Sequence, residues 1–214
     1  MNIVLFGIQG SGKGTQAKML SEKLAMKHIN LGELFRQEIK AGTEIGKIAK
    51  VYIDKGNLVP DEYVYHMIDN YVGLGIKGLI FDGFPRNRDQ ADYLVKHYHI
   101  DFVIYLDLDD AEAQKRILAR VRCRNCQYNY NLLSNPPKVN GVCDICGGQV
   151  SARDDDTPKA IKQRLARFHK ETKSLIQYFA EKKLLFKVSA DEEIDVLNEK
   201  ILAIIKEHGK KEIR

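Results

Sequence analysis

No stretch of the chain approaches the ~18 consecutive apolar residues that a membrane-spanning helix needs. No internal repeat and no low-complexity tract is evident. The N-terminal apolar run is short, lacks a basic leader and continues into a glycine-rich turn. It is therefore expected to be a strand rather than a signal peptide, in a cytoplasmic protein. Cysteine is scarce, four in 214 residues, and in a reducing compartment those four are not expected to form disulfides. A Ser/His/Asp triad is not evident, and there is no N-K-x-D motif with which a GTP-dependent switch would read guanine. What remains is a chain of one-domain size, or a core with small insertions. It is 44% hydrophobic, with net charge +5 from 34 Lys+Arg and 29 Asp+Glu. That balance suits an anionic partner: a nucleotide, a nucleic acid or an acidic surface.

Such a partner has an obvious seat. The apolar run Ile3-Val4-Leu5-Phe6 leads into Gly7-Ile8-Gln9-Gly10-Ser11-Gly12-Lys13-Gly14-Thr15. Beyond it Ala17, Leu20 and Leu24 recur at helical spacing with Lys18, Glu22 and Lys23 between them. A strand, a glycine-rich turn, a lysine and a helix start form a phosphate cradle. Glycines let the backbone turn its N–H groups inward, the helix adds its positive end, and Lys13 supplies a mobile ammonium. The strict P-loop pattern has Ser or Thr directly after the lysine; here Gly14 intervenes and Thr15 follows.

Further strand-like runs lie at Gly78–Phe81, Phe102–Leu108 and Leu184–Val188. Helical stripes lie between or beyond them, through Ile161, Leu165, Phe168, Thr172, Leu175, Ile176 and Phe179, and through Leu197, Ile201, Ile204 and Ile205. Alternating strands and helices predict an α/β fold with a parallel sheet covered on both faces, its ligands at the carboxyl ends of the strands. Two stretches break the alternation. Residues 30–59 read as short helices punctuated by Gly32, Gly42, Gly46 and Gly56, and residues 121–155 are rich in Cys, Asn, Gly and Pro. Both are expected to project over the carboxyl edge. The stretch Lys206–Lys211 reads as a solvated tail.

In the second stretch Cys123-x2-Cys126 and Cys143-x2-Cys146 stand 16 residues apart. Two such knuckles at roughly 15–20 residue spacing indicate tetrahedral zinc. With four protein thiolates no position is left for water, so the metal is expected to be structural. The basic residues Arg120, Arg122, Arg124 and Lys138 nearby suit either a nucleic acid or a nucleotide held in the glycine loop. Elsewhere Asp82-Gly83-Phe84-Pro85-Arg86 follows a strand, and an acid there commonly organises Mg²⁺. Arg36, Arg86, Arg116, Arg120, Arg153 and Arg164 stand outside any obvious salt-bridge ladder. With a phosphate loop they suggest a clamp of guanidinium forks. Arg153 precedes Asp154-Asp155-Asp156, which can pair with it, and Thr157-Pro158 suits a helix start.

These motifs together resemble the adenylate kinase family, in its long bacterial form with a zinc-bearing lid. G-x-x-G-x-G-K-G-T at 7–15, L-V-P-D-E at 58–62, D-G-F-P-R at 82–86, the four cysteines and R-x-D-D at 153–156 carry the likeness. The resemblance implies a P-loop three-layer fold with a five-stranded parallel sheet and two inserted mobile subdomains. The core would be residues 1–29, 60–118 and 157–214, with a monophosphate-binding insertion at 30–59 and the lid at 119–156. It implies reversible transfer of the ATP γ-phosphate to AMP, giving two ADP and maintaining adenine nucleotide balance. Mg²⁺ would accompany ATP, Zn²⁺ would sit in the lid, and the protein would be a monomer with no nucleic-acid or membrane partner. Gly10, Ser11, Gly12, Lys13, Gly14 and Thr15 would hold the ATP phosphates. Arg116, Arg120, Asn129, Tyr130 and the backbone near Glu192 would meet the rest of ATP. AMP would meet Leu31, Arg36, Asn57, Leu58, Val59, Gly83, Phe84, Pro85, Arg86 and Gln90, with Arg153 and Arg164 gripping from the lid side. Lys13, Asp82, Arg86, Arg120, Arg153 and Arg164 would carry the chemistry.

Some positions depart from the family. Leu31 stands where a threonine is usual, Asn131 where a histidine commonly follows the lid tyrosine, and Ser134 where an aromatic residue is usual. Arg86-Asn87 is like the UMP/CMP kinases, so a nucleoside monophosphate kinase with another acceptor is the close alternative. Gln90, which can make paired hydrogen bonds to an adenine edge, favours AMP. A P-loop switch protein and a zinc-ribbon nucleic-acid-binding module are the alternatives of other classes. The first lacks its guanine motif, and the second leaves the glycine loop unexplained.

Overall fold

A computed structural model describes residues 1–73 and 78–209. In chain order the elements are β1 Asn2–Gly7, α1 Lys13–Leu24, β2 Lys27–Asn30, α2 Leu31–Ala41, α3 Glu44–Ile53, α4 Asp61–Val72, β3 Leu79–Asp82, α5 Arg88–His97, β4 Phe102–Asp107 and α6 Asp110–Leu118. Three short strands follow, β5 Arg120–Cys123, β6 Asn129–Asn131 and β7 Val150–Ala152. The chain then returns through α7 Pro158–Arg167, a π-helical turn over Phe168–Thr172, α8 Leu175–Glu181, β8 Leu185–Ser189 and α9 Ile194–His208. Lys210 and Lys211 of the expected tail lie outside the described residues. Among the described residues no helix is long and apolar enough to cross a membrane.

The fold is α/β. Five strands form one parallel sheet in the order β2-β3-β1-β4-β8. Its inner strands are apolar throughout because helices cover both faces; Ile3, Val4, Ile80, Phe81, Val103, Ile104 and Leu106 are fully buried. The four strand-like runs are β1, β3, β4 and β8. The fifth strand, β2, is the polar segment Lys27-His28-Ile29-Asn30, of which only Ile29 is buried. It is an edge strand, so one side chain is enough to anchor it, and it carries no apolar run.

The chain leaves β1 towards β2 and β3 on one side and reaches β4 and β8 on the other. In such a sheet the ligand crevice lies at the carboxyl ends beside the reversal, and residues 7–15 sit there. Over that edge lie two other parts. One is the helix pair α2–α3. They pack so closely that a Cβ at Gly46 would stand 2.2 Å from the Glu38 carbonyl oxygen, which accounts for the glycine. The other is a three-stranded antiparallel sheet, β6-β5-β7, whose own core is only Cys123, Tyr130, Cys143 and Val150.

The expected helix over 158–180 is interrupted. Thr157 caps α7 by accepting from the Ala160 N–H, with Pro158 in the first turn. The π-helical turn then brings Thr172 against the sheet edge, where its hydroxyl donates to the Arg86 carbonyl at 2.7 Å.

Candidate active site

The glycine loop turns through Gly10 and Gly12, both at φ +87°, in the left-handed region where a side chain is strained. At Gly10 a Cβ would also collide with the Ala113 carbonyl oxygen at 2.6 Å. Gly12 caps α1 without a side-chain hydrogen bond, so the first backbone N–H groups of the helix are not capped by a side chain. Gly14 has its own reason. A Cβ there would press within 3.3 Å of Asp82 Oδ2, a tight contact on a buried carboxylate. Lys13 folds back over the loop, its Nζ donating to the carbonyls of Gly7 at 2.8 Å and Ile8 at 2.7 Å. Burial pushes this ammonium down to about 8; Asp82 opposes the shift, and Arg86 and Arg120 add to it.

Asp82 ends β3 and is 4% exposed. Its Oδ2 accepts from Asn30 Nδ2 at 2.6 Å and lies 3.2 Å from His28 Nε2. Burial raises the carboxyl, but His28, Lys13 and Arg86 outweigh it and hold the acid below its ordinary value. His28 and Asn30 both come from β2, which sequence patterning does not reveal, and so neither was anticipated.

Two cavities meet at this edge. The first is lined by Gly10, Ser11, Gly12, Lys13, Gly14, Thr15, Asp82, Arg116, Arg120, Asn129, Tyr130 and Glu192. The second is lined by Leu31, Asn57, Leu58, Val59, Gln90 and Arg164, with Phe35 and Val64. Gln9, Gly32, Arg36, Gly83, Arg86 and Arg153 line both. Of the anticipated residues, Phe84 and Pro85 line neither and border a third, adjoining cavity. Phe84 is buried beside Phe81, their ring centroids 6.2 Å apart. Gln90 is already tied at both ends. Its Oε1 accepts from the Arg86 N–H at 2.8 Å and its Nε2 donates to Asp61 at 2.7 Å. That leaves one lone pair and one N–H for a ligand. Glu192 accepts from Lys200 through Oε1, while its buried Oε2 has no partner among the described residues.

The arginines are not the unpaired set that sequence suggests. Arg120 forks onto Asp156 at 2.7–2.9 Å. Arg153 forks onto Asp155 at 2.6 and 3.0 Å. Arg164 bridges both acids at 2.7 and 2.8 Å. Arg36 holds Glu33 at 3.1 Å and stands 3.8 Å from Asp155. Arg116 pairs with Glu112 and Asp191. Arg86 has no carboxylate partner among the described residues; its Nε donates to the Gly83 carbonyl. Burial and neighbouring Arg153 hold Arg36 down to about 9 and Arg120 to about 10. Several buried guanidinium groups thus converge on one place, most of them paired with Glu33, Asp155 and Asp156 and Arg86 without a carboxylate among the described residues. A polyanion bound there would supply Arg86 with an anionic partner.

In the lid, one ligand atom from each of Cys123, Cys126, Cys143 and Cys146 lies within 4.8 Å of the others. Sγ separations of 3.5 and 3.6 Å exclude a disulfide, whose sulfurs are about 2.05 Å apart. They suit the edge of about 3.8 Å expected for a tetrahedron with zinc–sulfur bonds of ~2.3 Å. Burial raises the Cys143 thiol, but the Tyr130 hydroxyl and the N–H groups of Ile145 and Cys146 outweigh it and bring it to about 6. The cluster could bind zinc. Tyr130 plays a part here that sequence did not indicate. Its hydroxyl lies 3.4 Å from Cys143 Sγ and accepts from the Asp144 N–H, so its polar end supports the knuckle rather than the cavity.

The likeness extends along the chain. The family model described as adenylate kinase matches residues 5–184. The chain is 43% identical over 212 residues to an adenylate kinase of Methanosarcina acetivorans, covering 96% of this chain and 98% of the relative. It is 39% identical over 209 residues to an adenylate kinase of Ruminiclostridium cellulolyticum, covering 94% and 98%. To one of Staphylococcus epidermidis it is 38% identical over 212 residues, covering 96% and 99%. A glycine loop, a second cavity sharing its arginine wall and a four-cysteine lid, joined to this likeness over nearly the whole length, place the chain in the adenylate kinase family.

Proposed function

We propose that the cavity of the glycine loop takes ATP, the second cavity takes AMP, and the wall of Arg36, Arg86 and Arg153 between them is where the phosphoryl group passes. The chain is a phosphotransferase, a nucleoside monophosphate kinase, and its reaction is ATP + AMP ⇌ 2 ADP. The observation that carries the residue assignment is the shared wall. Two separate cavities that border the same guanidinium groups suit two phosphate chains meeting end to end.

Phosphoryl transfer asks mainly for positioning and charge neutralisation. In this reading an AMP phosphate oxygen attacks the γ-phosphorus in line, a new P–O bond forms, and the bond to the β,γ-bridging oxygen breaks to release ADP. The attacking oxygen is already anionic near pH 7, so no general base is required. Gly10–Thr15 hold the ATP phosphates, with Lys13 leaving its own loop carbonyls for them. Arg86, Arg120, Arg153 and Arg164 bring two mutually repelling anions together and stabilise the charge spread in the transition state. Mg²⁺ bound with ATP would supply further neutralisation, and Asp82, a buried acid held ionised by His28, Lys13 and Arg86, would be the residue to meet it. Arg116, Asn129, Tyr130 and the segment at Glu192 border the rest of ATP. Leu31, Asn57–Val59, Gly83 and Gln90 border AMP.

Residues 30–59 and 119–156 are the two parts that close over the core of 1–29, 60–118 and 157–214 and exclude water from the γ-phosphate. Zn²⁺ on the four cysteines stiffens the second part, whose own core is too small to hold it. We read the protein as a cytoplasmic monomer acting on ATP, AMP and ADP without nucleic acid or membrane. The test is ADP formation from ATP with AMP, CMP, UMP and GMP in parallel. AMP is the expected acceptor by a wide margin; equal or faster use of a pyrimidine monophosphate refutes the base assignment.

A further inference from the structure

We propose that Arg122 is a positioning residue that couples the two nucleotide sites by sharing the carboxylate of Glu33 with Arg36, and so weakening its hold on Arg36, when the lid is down. The inference rests on the assignment of the Arg36 cavity to AMP.

Strand geometry aims three arginines the same way. Along β5 successive side chains alternate, so Val121 and Cys123 turn into the lid core while Arg120 and Arg122 face the helices beneath. Arg124 just beyond has the same parity. Each finds an acid. Arg120 takes Asp156 and Arg124 takes Asp154, both within the lid segment. Arg122 alone reaches out of the lid, and its Nη1 donates to Glu33 Oε2 at 2.9 Å. Glu33 lies in the first turn of α2, its N–H held by Asn30.

The same Oε2 also accepts from Arg36, at 3.3 Å from Nε and 3.1 Å from Nη2. One carboxylate oxygen therefore serves two cations from two different parts of the chain. The other oxygen, Oε1, is buried with no partner among the described residues. All three side chains are four-fifths or more covered, so water does little to screen the competition. Without Arg122, Arg36 is the cation bonded to Glu33, and a phosphate must compete with Glu33 for that guanidinium. With Arg122 docked, the charge of Glu33 is shared between two guanidinium groups, so its hold on Arg36 is weaker and a phosphate displaces it more easily. Lid closure thereby tightens AMP, and by linkage AMP favours lid closure to the same extent.

The experiment measures AMP affinity by calorimetry, without and with a saturating non-hydrolysable ATP analogue, on the whole protein. The ratio of the two affinities should be about fivefold or more in the unaltered protein. In Arg122→Ala it should fall to near 1, with the affinity for the ATP analogue alone nearly unchanged. Arg122→Lys, which keeps a cation, should recover part of the ratio. Glu33→Gln should bind AMP without the analogue at least as tightly as the unaltered protein, because the competitor is gone, and should also show a ratio near 1. A merely structural Glu33 would instead weaken binding. A ratio unchanged in Arg122→Ala, or weaker AMP binding in Glu33→Gln, overturns the inference. Arg36→Ala separates the two levels. If it leaves AMP affinity intact, the cavity assignment fails and the coupling with it. If it abolishes AMP binding while Arg122→Ala keeps the ratio, only the coupling fails.

Discussion

Asp155→Asn tests whether the carboxylates at the end of the lid occupy the place of nucleotide phosphates. Asp155 accepts from Arg153 at 3.0 and 2.6 Å and from Arg164 at 2.7 Å, with Arg36 3.8 Å away. Its side chain is 9% exposed, and those of Arg153 and Arg164 are 7% and 9% exposed. Removing one partner of a buried pair costs about 3–5 kcal/mol, because the remaining charge is left uncompensated. Asn keeps one acceptor oxygen and Asp156 still holds Arg164, so the low end, about 3 kcal/mol, is expected. For a chain of this size that is a fall in melting temperature of about 6–12 °C.

The assay is calorimetric melting of both proteins, without nucleotide and with saturating AMP plus a non-hydrolysable ATP analogue. Phosphate oxygens replace the missing charge, so with nucleotide the deficit should shrink to less than about half. A nucleotide-free variant melting within about 2 °C of the unaltered protein would refute the charge argument. A deficit that nucleotides leave untouched would show that these arginines do not face phosphate. The variant should also differ in acid. Although burial raises the Asp155 carboxyl, Arg153, Arg164 and Arg36 outweigh it and hold it well below the usual range. The unfolded chain thus takes up this proton first. The stabilisation is present above about pH 4 and is lost as pH falls further, and the variant should lack that part of the acid limb.

Lys13→Ala and Arg86→Ala should each lower turnover by about 10³-fold or more while the melting temperature stays close to that of the unaltered protein; near-normal rates in either would count against the site. On the proposal that the four cysteines hold zinc, a chelator should lower the melting temperature more than it impairs ADP formation at low temperature, which paired melting curves and assays would show; activity lost with stability intact would point to a direct role for the metal. Because burial brings the Lys13 ammonium to about 8, kcat/KM for ATP should decline above that pH as the free enzyme loses this charge. Stability moves the other way and rises between about pH 8 and 10.5, where only the unfolded chain keeps the proton. Lys13→Arg should lack the alkaline limb, and a limb that persists in that variant would assign it elsewhere.

Sequence alone determined the features written in local pattern. The glycine loop, its helix and the four apolar strands are each set by neighbours in the chain, and the two cysteine knuckles are set by spacing. Residue type was enough there because the physical demand is local: φ above zero at Gly10, a lysine one step past Gly12, two cysteines three positions apart in each knuckle. What only the tertiary structure decided is which charges meet. β2 is an edge strand with a single buried side chain, so its apolar content conceals it, and with it His28 and Asn30 beneath Asp82. Gly14 departs from the strict phosphate-loop pattern in the form the resemblance implies, but the physical reason for a glycine there appears only when the fold brings Asp82 against it. Tyr130 lines the first cavity, but that its hydroxyl also reaches the cysteine cluster is seen only in the fold. The arginines read as free because Asp155 and Asp156, close in sequence to Arg153, must gather Arg120 and Arg164 from two other elements. Arg122 finds Glu33 89 residues away. Ion pairs of long side chains follow no sequence period; they are fixed by which elements pack together, and that is a property of the folded chain alone.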